Sequence, residues 1–127
     1  MSNLKLQKLV YYAQGFSLAL LNRPLFNEEI EAWMHGPVVP ELYRKYKDFK
    51  NQALPLPEND IDFSKFSEDE KELLDEVYRV YGQYSAWKLR DMTHSEPPWA
   101  NSYIEGYGKS PIPHDSMKSF FDTRINK

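Results

Sequence analysis

The sequence contains no cysteine, which excludes a disulfide framework, a thiolate nucleophile and any zinc site built on thiolates. It has only 5 glycines among 127 residues, and none forms a loop that could cradle phosphate groups. No run approaches the roughly 20 apolar residues of a membrane helix. The first residues also lack the apolar region of a signal peptide. We therefore expect a cytoplasmic protein without a membrane segment.

A surplus of positive charge is missing as well. The formal net charge is -3 and the pI is about 5.6. Proteins that bind nucleic acid usually present a dense basic face, because phosphate contacts supply most of their affinity. This composition disfavours a nucleic-acid partner. Aromatic residues make up 15% of the chain, with nine tyrosines and three tryptophans, and such residues are enriched at protein interfaces.

Motifs for catalysis and for metal binding are also lacking. Ser85-Ala86-Trp87-Lys88 fits a Ser-x-x-Lys pattern, but its companion motifs are absent, and Ser85 is better interpreted as a helix cap. The histidines His35, His94 and His114 do not have the spacing of metal ligands, so we expect His94 to make a structural hydrogen bond. A Ser-His-Asp triad stays open, because its members need not be adjacent. We predict no catalytic residue, metal or cofactor.

Hydrophobic periodicity predicts a first helix over residues 4–21 and an extended segment within residues 25–34. On the helix, Lys5, Lys8 and Tyr12 are expected opposite a buried stripe, whose members are Leu6, Leu9, Val10, Ala13, Phe16, Leu20 and, as the one polar exception, Ser17. Gly15 lies within this helix, where its small size would allow another backbone to approach. Gly36 and Pro37 then mark a turn.

Four further helices are predicted from local start and stop signals. Pro40 suits the first position of a helix to about residue 50, and Ser67 with Glu70 forms a capping box. Gly82 should end that helix in the left-handed conformation. Ser85 should cap a helix to His94, a short helical turn should follow through Tyr103, and Pro113 should open the last helix.

The connections complete a fold that we expect to be one compact domain spanning residues 1–127. Residues 51–66 are predicted to be a loop that covers the core with Leu54, Leu56, Ile61, Phe63 and Phe66. Residues 105–111 are predicted to be a second loop. The fold class is mainly α, with five to six helices and at most one short β element.

Aromatic and polar side chains gather near two turns. Trp33 and His35 precede Gly36, Tyr43 follows it, and His94 and Trp99 flank the Pro97-Pro98 pair. Large aromatic residues are usually mostly buried, so these residues are either core or the lining of a protein-binding groove.

Four sequence blocks together resemble the SocA-like, or Panacea, antitoxin domain family. They are LQKLVYYAQG (6–15), EAWMHGPVVPELY (31–43), YSAWKL (84–89) and THSEPPW (93–99). The resemblance extends over about residues 4–103. Met34 and His35 stand where the family carries a bulky aromatic or tyrosine.

The resemblance implies a helical, non-catalytic protein of prophages or other mobile elements that neutralises a cognate toxin protein by binding it. One member of the family also delivers its toxin to the ClpXP protease. The candidate binding residues on this view are Trp33, His35, Tyr43, His94 and Trp99, and the alternative is that they mainly hold the scaffold together. The competing functions are an interaction module without a toxin, a nucleic-acid-binding regulator and a small enzyme.

Overall fold

The computed structural model describes residues 2–46, 66–107 and 109–125. Within those ranges the chain forms six helices and a three-stranded antiparallel sheet. The helices are α1 (Asn3–Leu20), α2 (Pro40–Tyr46), α3 (Glu68–Tyr81), α4 (Ala86–His94), α5 (Pro97–Ala100) and α6 (His114–Asp122). The strands are β1 (Glu31–Trp33), β2 (Gly36–Val38) and β3 (Ser110–Pro111), in the order β2-β1-β3. The predicted mainly α class is confirmed.

Most helix starts follow the predicted caps. The Ser85 hydroxyl accepts a hydrogen bond from the Lys88 backbone N–H at 3.1 Å, and Ser67 and Glu70 cap each other as a capping box. Pro113 immediately precedes α6, as predicted. These caps satisfy backbone groups that a helix start would otherwise leave without partners.

Two local predictions were wrong. Gly82 ends α3 with φ -66°, in the right-handed region, and its N–H donates to the carbonyl of Tyr78. Residues 110 and 111, predicted to be loop, form β3, whose partners across β1 are Glu31 and Ala32. The single predicted β element is therefore part of a small sheet. A segment as short as β3 can become a strand by pairing with a neighbour, even when its own sequence shows no strand pattern.

Part of the predicted chain lies outside the described residues. The helix that begins at Pro40 is described as far as Tyr46. The predicted loop, with its core candidates Leu54, Leu56, Ile61 and Phe63, is outside those ranges, whereas Phe66 is inside them and is half-buried.

Helix α1 lies at the centre of the fold, in contact with α2, α3, α4, α6 and β2. Its predicted inner and outer faces were therefore wrong in part. Lys8 and Tyr12 are each only 1% exposed, whereas Leu20 is 54% exposed. A helix that neighbours contact on several sides no longer needs the single apolar stripe of a surface helix.

The buried polar residues of α1 hold the segments around it. The Gln7 side chain accepts from the Val39 N–H at 3.0 Å and donates to Asn3 Oδ1 at 2.8 Å. The Gln14 carbonyl oxygen accepts from the Leu25 N–H at 2.7 Å, and its amide donates to the Phe26 carbonyl. Because a buried amide costs free energy unless it is hydrogen-bonded, these pairings fix the chain on both ends of the helix.

Aromatic packing joins α1 to α6. The Phe121 ring lies against Gly15, where a Cβ atom would come within 2.1 Å of Phe121 Cε2. The close approach expected at Gly15 is thus made by a ring and not by a backbone. The same ring makes edge contacts with Tyr11 and Tyr12, at centroid distances of 5.5 and 5.8 Å.

None of the described helices is both long enough and apolar enough to cross a membrane.

Candidate protein-interaction surface

The β1–β2 hairpin is seated on α1 and α4 at Gly36. This residue has φ +118°, a backbone conformation that L side chains rarely adopt. A Cβ there would lie 2.6 Å from Lys8 Cε and 3.0 Å from the Thr93 hydroxyl oxygen. Glycine is therefore required for the turn geometry and for the close approach of the hairpin to both helices.

The hairpin brings together an aromatic patch, which consists of Trp33, Tyr43, His94, Trp99 and Tyr103. The Trp33 and Tyr43 rings meet edge to face at 5.1 Å. The imidazole of His94 stacks on the Trp99 ring, with 3.9 Å between the ring centroids. The Tyr103 ring also stacks on Trp99, at a centroid distance of 4.8 Å. The Trp99 indole N–H donates to the Trp33 carbonyl at 2.7 Å, which ties the two halves of the patch together.

Four of the five predicted binding residues thus lie in one patch. The fifth, His35, is exposed at the hairpin turn, and in the described ranges no hydrogen bond or ring contact joins it to the other four. Sequence reasoning missed Tyr103 as a member. Its spacing of four residues from Trp99 was the available signal, although α5 ends at Ala100 and only the first two residues of that interval are helical.

The patch members are half-buried, and exposed apolar residues lie in the segments around them. Met34 in the hairpin turn and Trp87 on α4 are 60% and 66% exposed. Ile104 and Tyr107, just beyond Tyr103, are also exposed. Clusters of exposed aromatic and apolar side chains are typical of protein-binding surfaces.

A cationic cluster of Lys8, Arg90 and His94 lies beside the patch. The Lys8 ammonium donates to the Pro37 carbonyl at 3.3 Å. Burial, with a smaller contribution from the nearby Arg90 guanidinium, lowers the pKa of Lys8 to about 7. Burial also lowers the pKa of His94, helped by Arg90 and Lys8 and opposed by Asp91 and the backbone of Met34. The three side chains therefore share one electrostatic environment.

Two nitrogen atoms of this cluster are buried without a hydrogen-bond partner in the described residues: Arg90 Nε and His94 Nε2. A hydrogen bond with the backbone of Met34 acts on the pKa of His94, which agrees with the structural hydrogen bond that we expected for this residue. The Arg90 guanidinium lies over the Trp87 ring at 5.2 Å, in a cation–π contact. Sequence reasoning did not select Lys8 or Arg90, because each was part of an ordinary helical pattern.

Glu96 is the contrasting charged group of this region. It is buried, and its two carboxylate oxygens accept hydrogen bonds from the Tyr11 and Tyr12 hydroxyls at 3.0 and 2.7 Å. Burial raises the pKa of Glu96, while the two phenol donors act in the opposite direction. Burial, followed by the charge of Glu96, raises the pKa of both tyrosines, so they stay protonated and keep donating.

A cavity of about 460 Å³ opens beside Glu96. Its lining residues include Tyr12, Tyr81, Lys88, Asp91 and Arg124. A cavity with titratable groups of shifted pKa is the arrangement that a small enzyme would require. Here both carboxylate oxygens are occupied by phenols, which favours a structural role for Glu96. The described residues contain no group of three or more His, Cys, Asp or Glu side chains placed to hold a metal ion.

Comparison with protein families identifies the class of protein. The family model described as antitoxin SocA-like, Panacea domain, matches residues 6–100. The chain belongs to this family, as its four sequence blocks predicted, and all five residues of the two predicted clusters near turns lie within the matched range. Membership of this family supports an antitoxin-type function.

Among characterised relatives, the chain is 56% identical over 43 residues to antitoxin SocA of Caulobacter vibrioides, a match that covers 34% of this chain and 23% of that protein. It is 33% identical over 71 residues to large ribosomal subunit protein uL18y of Oryza sativa subsp. japonica, covering 54% of this chain. The chain spans 23% of the length of each of these relatives. No solved structure matches.

Proposed function

We propose that this protein is an antitoxin that binds a cognate toxin protein and neutralises it by direct contact. The observation that carries the proposal is membership of the antitoxin SocA-like family over residues 6–100. The similarity to antitoxin SocA of Caulobacter vibrioides supports it.

The toxin-binding surface that we propose is the aromatic patch with its exposed neighbours Met34 and Trp87. A stable protein interface buries about 800 Å² on each partner and takes its affinity mainly from a few aromatic and arginine residues. The patch offers such residues at its centre, and the Trp99–Trp33 hydrogen bond orients them before a partner arrives. Binding then requires little reordering of side chains.

The first experiment is co-expression with the product of the adjacent gene. We expect that product alone to arrest growth, and this protein to restore growth and to co-purify with it. If the neighbouring product is harmless or forms no complex, this member is better described as an interaction module without a toxin, and the antitoxin proposal fails.

A variant pair then tests the surface. Trp87→Ala removes an exposed aromatic side chain of α4, the helix that also carries His94, and Tyr78→Ala removes a similarly exposed one on α3. We expect the first to weaken toxin binding by at least tenfold, roughly the effect of losing an interface anchor. The second should bind like the wild type. Equal effects would remove the patch from the proposal.

Neutralisation by delivery to a ClpXP-type protease is a finer version of the same proposal. Its distinguishing measurement is the half-life of the toxin in cells that express this protein, with and without the protease. A half-life that does not depend on the protease leaves simple sequestration as the mechanism.

A further inference from the structure

We propose that Arg90 and His94 form a carboxylate-binding site beside the aromatic patch, and that this site takes an aspartate or glutamate side chain of the bound toxin. The inference rests on the proposed function, since it names the chemistry by which the toxin is recognised. It assigns Arg90, which neither the sequence patterns nor the family match singled out.

The charges of the cluster lack internal compensation. Among the described residues, Lys8 is paired with a backbone carbonyl and not with a carboxylate. In the described residues Arg90 has one carboxylate neighbour, Asp91, at 3.8 Å, and the Asp91 side chain is 72% exposed. An ion pair that long and that exposed contributes little. Arg90, whose guanidinium stays charged, therefore keeps a positive potential that an incoming anion would meet.

The hydrogen-bonding groups also lack partners. His94 Nε2 and Arg90 Nε are buried with no acceptor in the described part of the chain. A buried donor without an acceptor is destabilising, and native proteins retain few of them. A small side-chain movement when the partner docks would give Arg90 Nε, and His94 Nε2 in the tautomer that carries its proton there, the carboxylate that the described residues do not supply.

The position of Arg90 suits a carboxylate from a protein. Its guanidinium lies on the Trp87 ring, and 31% of its side chain is exposed. A guanidinium that packs against a ring still presents its planar set of N–H groups, which can bind a carboxylate in a bidentate manner. The surrounding aromatic side chains would exclude water and strengthen that pair.

Charge complementarity favours an acidic protein segment over the other possible occupants. A phosphate backbone requires many basic contacts, and this chain has a net charge of -3. A second copy of the chain could offer the acidic residues at the start of α3, which include Glu68 and Asp69. We infer a toxin side chain because the site adjoins the patch that we assign to the toxin.

The test compares variants of Arg90 with a matched arginine elsewhere. Arg79 on α3 is 70% exposed and pairs with Glu76, so Arg79→Ala serves as the control. The probe is the purified product of the adjacent gene, and the readout is its Kd by calorimetry at two salt concentrations. We expect Arg90→Ala to weaken binding about 30-fold or more, and Arg90→Lys to weaken it about fivefold because the bidentate geometry is lost. Arg79→Ala should stay within about twofold.

An exchange of charges between the two proteins tests directly whether Arg90 pairs with an acidic residue of the toxin. Arg90→Glu should abolish binding, and a toxin in which one acidic interface residue is changed to lysine should restore it to within about tenfold. Circular dichroism of each variant shows whether it is folded, and Arg90→Lys remains informative if Arg90→Glu is not.

The outcomes separate the two proposals. If the wild type does not bind the neighbouring product, both proposals fail. If it binds, but the Arg90 variants and Arg79→Ala bind equally well, this inference alone is overturned. Self-association that Arg90→Glu removes, or binding to a single-stranded RNA that competes with the toxin, would likewise assign the site to a different occupant and overturn it.

Discussion

Glu96 and the cationic cluster are two charged regions at the end of α4 that meet burial in opposite ways. Each carboxylate oxygen of Glu96 accepts a hydrogen bond from a tyrosine hydroxyl. In the cluster of Lys8, Arg90 and His94, Lys8 has a carbonyl acceptor at 3.3 Å, and two buried nitrogens, Arg90 Nε and His94 Nε2, have no partner in the described residues. A buried charged group whose hydrogen bonds are all made within the protein stabilises the fold, whereas a group without partners can bind another molecule.

The comparison has a consequence for mutations. Changes at Glu96 should alter stability and leave the binding surface of the folded protein intact. Changes in the cationic cluster should leave stability nearly unchanged, or even raise it, and should alter recognition. Measuring both stability and toxin binding for each variant therefore distinguishes a charged group that holds the fold together from one that binds a partner.

The largest expected effect is at Glu96. Glu96→Ala leaves two buried phenol hydroxyls without an acceptor, and we expect it to lower the free energy of unfolding by about 3–5 kcal/mol. Glu96→Gln keeps an acceptor oxygen and should cost only about 1–2 kcal/mol. Urea denaturation followed by circular dichroism measures both. A loss below about 1 kcal/mol for Glu96→Ala would show that this carboxylate is not structural.

The next largest effect on stability is expected at Gly36, where the β1–β2 hairpin packs against α1 and α4. Gly36→Ala adds a Cβ in a positive-φ conformation and directly against Lys8 Cε, and we expect a loss of about 2–3 kcal/mol. Gly106→Ala is the matched control, because Gly106 also has positive φ, +85°, but has nothing within 4 Å of the added atom. The control should lose about 1 kcal/mol. Equal losses in thermal unfolding would mean that backbone strain alone matters and that Lys8 is not held against the hairpin.

Lys8 gives the comparison a pH dependence. Its pKa is about 7 in the folded chain and 10.5 ordinarily, so the unfolded chain holds more protons between those values and stability rises with pH across that window. We expect the free energy of unfolding to rise by roughly 2 kcal/mol between about pH 7 and about pH 9. The shifted groups that face Lys8 do not titrate there, since the pKa of His94 lies below its ordinary 6.5.

The matched variant for this prediction is Lys8→Met, which keeps a long side chain and removes the charge. It should lack the rise and be at least as stable as the wild type near pH 7. Parallel pH profiles for the two proteins, measured by urea denaturation, would show that Lys8 keeps an ordinary pKa.

Features that depend on neighbouring residues in sequence were predictable, and features that depend on distant contacts were not. The caps at Ser67 and Ser85 were predicted because a cap is formed within three residues. The aromatic patch was predicted in large part, because its members flank recognisable turns. The burial of Lys8 depends on a hairpin that begins more than twenty residues later, and no periodic pattern within α1 reports that contact.

The hydrogen bonds of Glu96 also depend on contacts between distant parts of the sequence, and the sequence did not predict them. Its partners Tyr11 and Tyr12 are 85 and 84 residues away in sequence. Two adjacent tyrosines in a helix would ordinarily face different sides, and here both hydroxyls reach one carboxylate because α1 is enclosed by its neighbours. A single sequence gives periodicity and local signals, whereas the pairing of two buried polar groups is decided by the tertiary fold.

The smallest stability effect should come from Trp99, which connects the two charged regions to the hairpin. Trp99→Phe keeps an aromatic ring against His94 but loses the indole N–H that donates to the Trp33 carbonyl at 2.7 Å. We expect a loss of about 1 kcal/mol, and Trp87→Phe, an exposed control, should stay within about 0.5 kcal/mol. Because this hydrogen bond orients the patch, toxin binding by Trp99→Phe should weaken more than its stability loss accounts for. If binding by the folded variant is unchanged, the bond belongs with Glu96 among the structural contacts, and recognition depends on the exposed side chains alone.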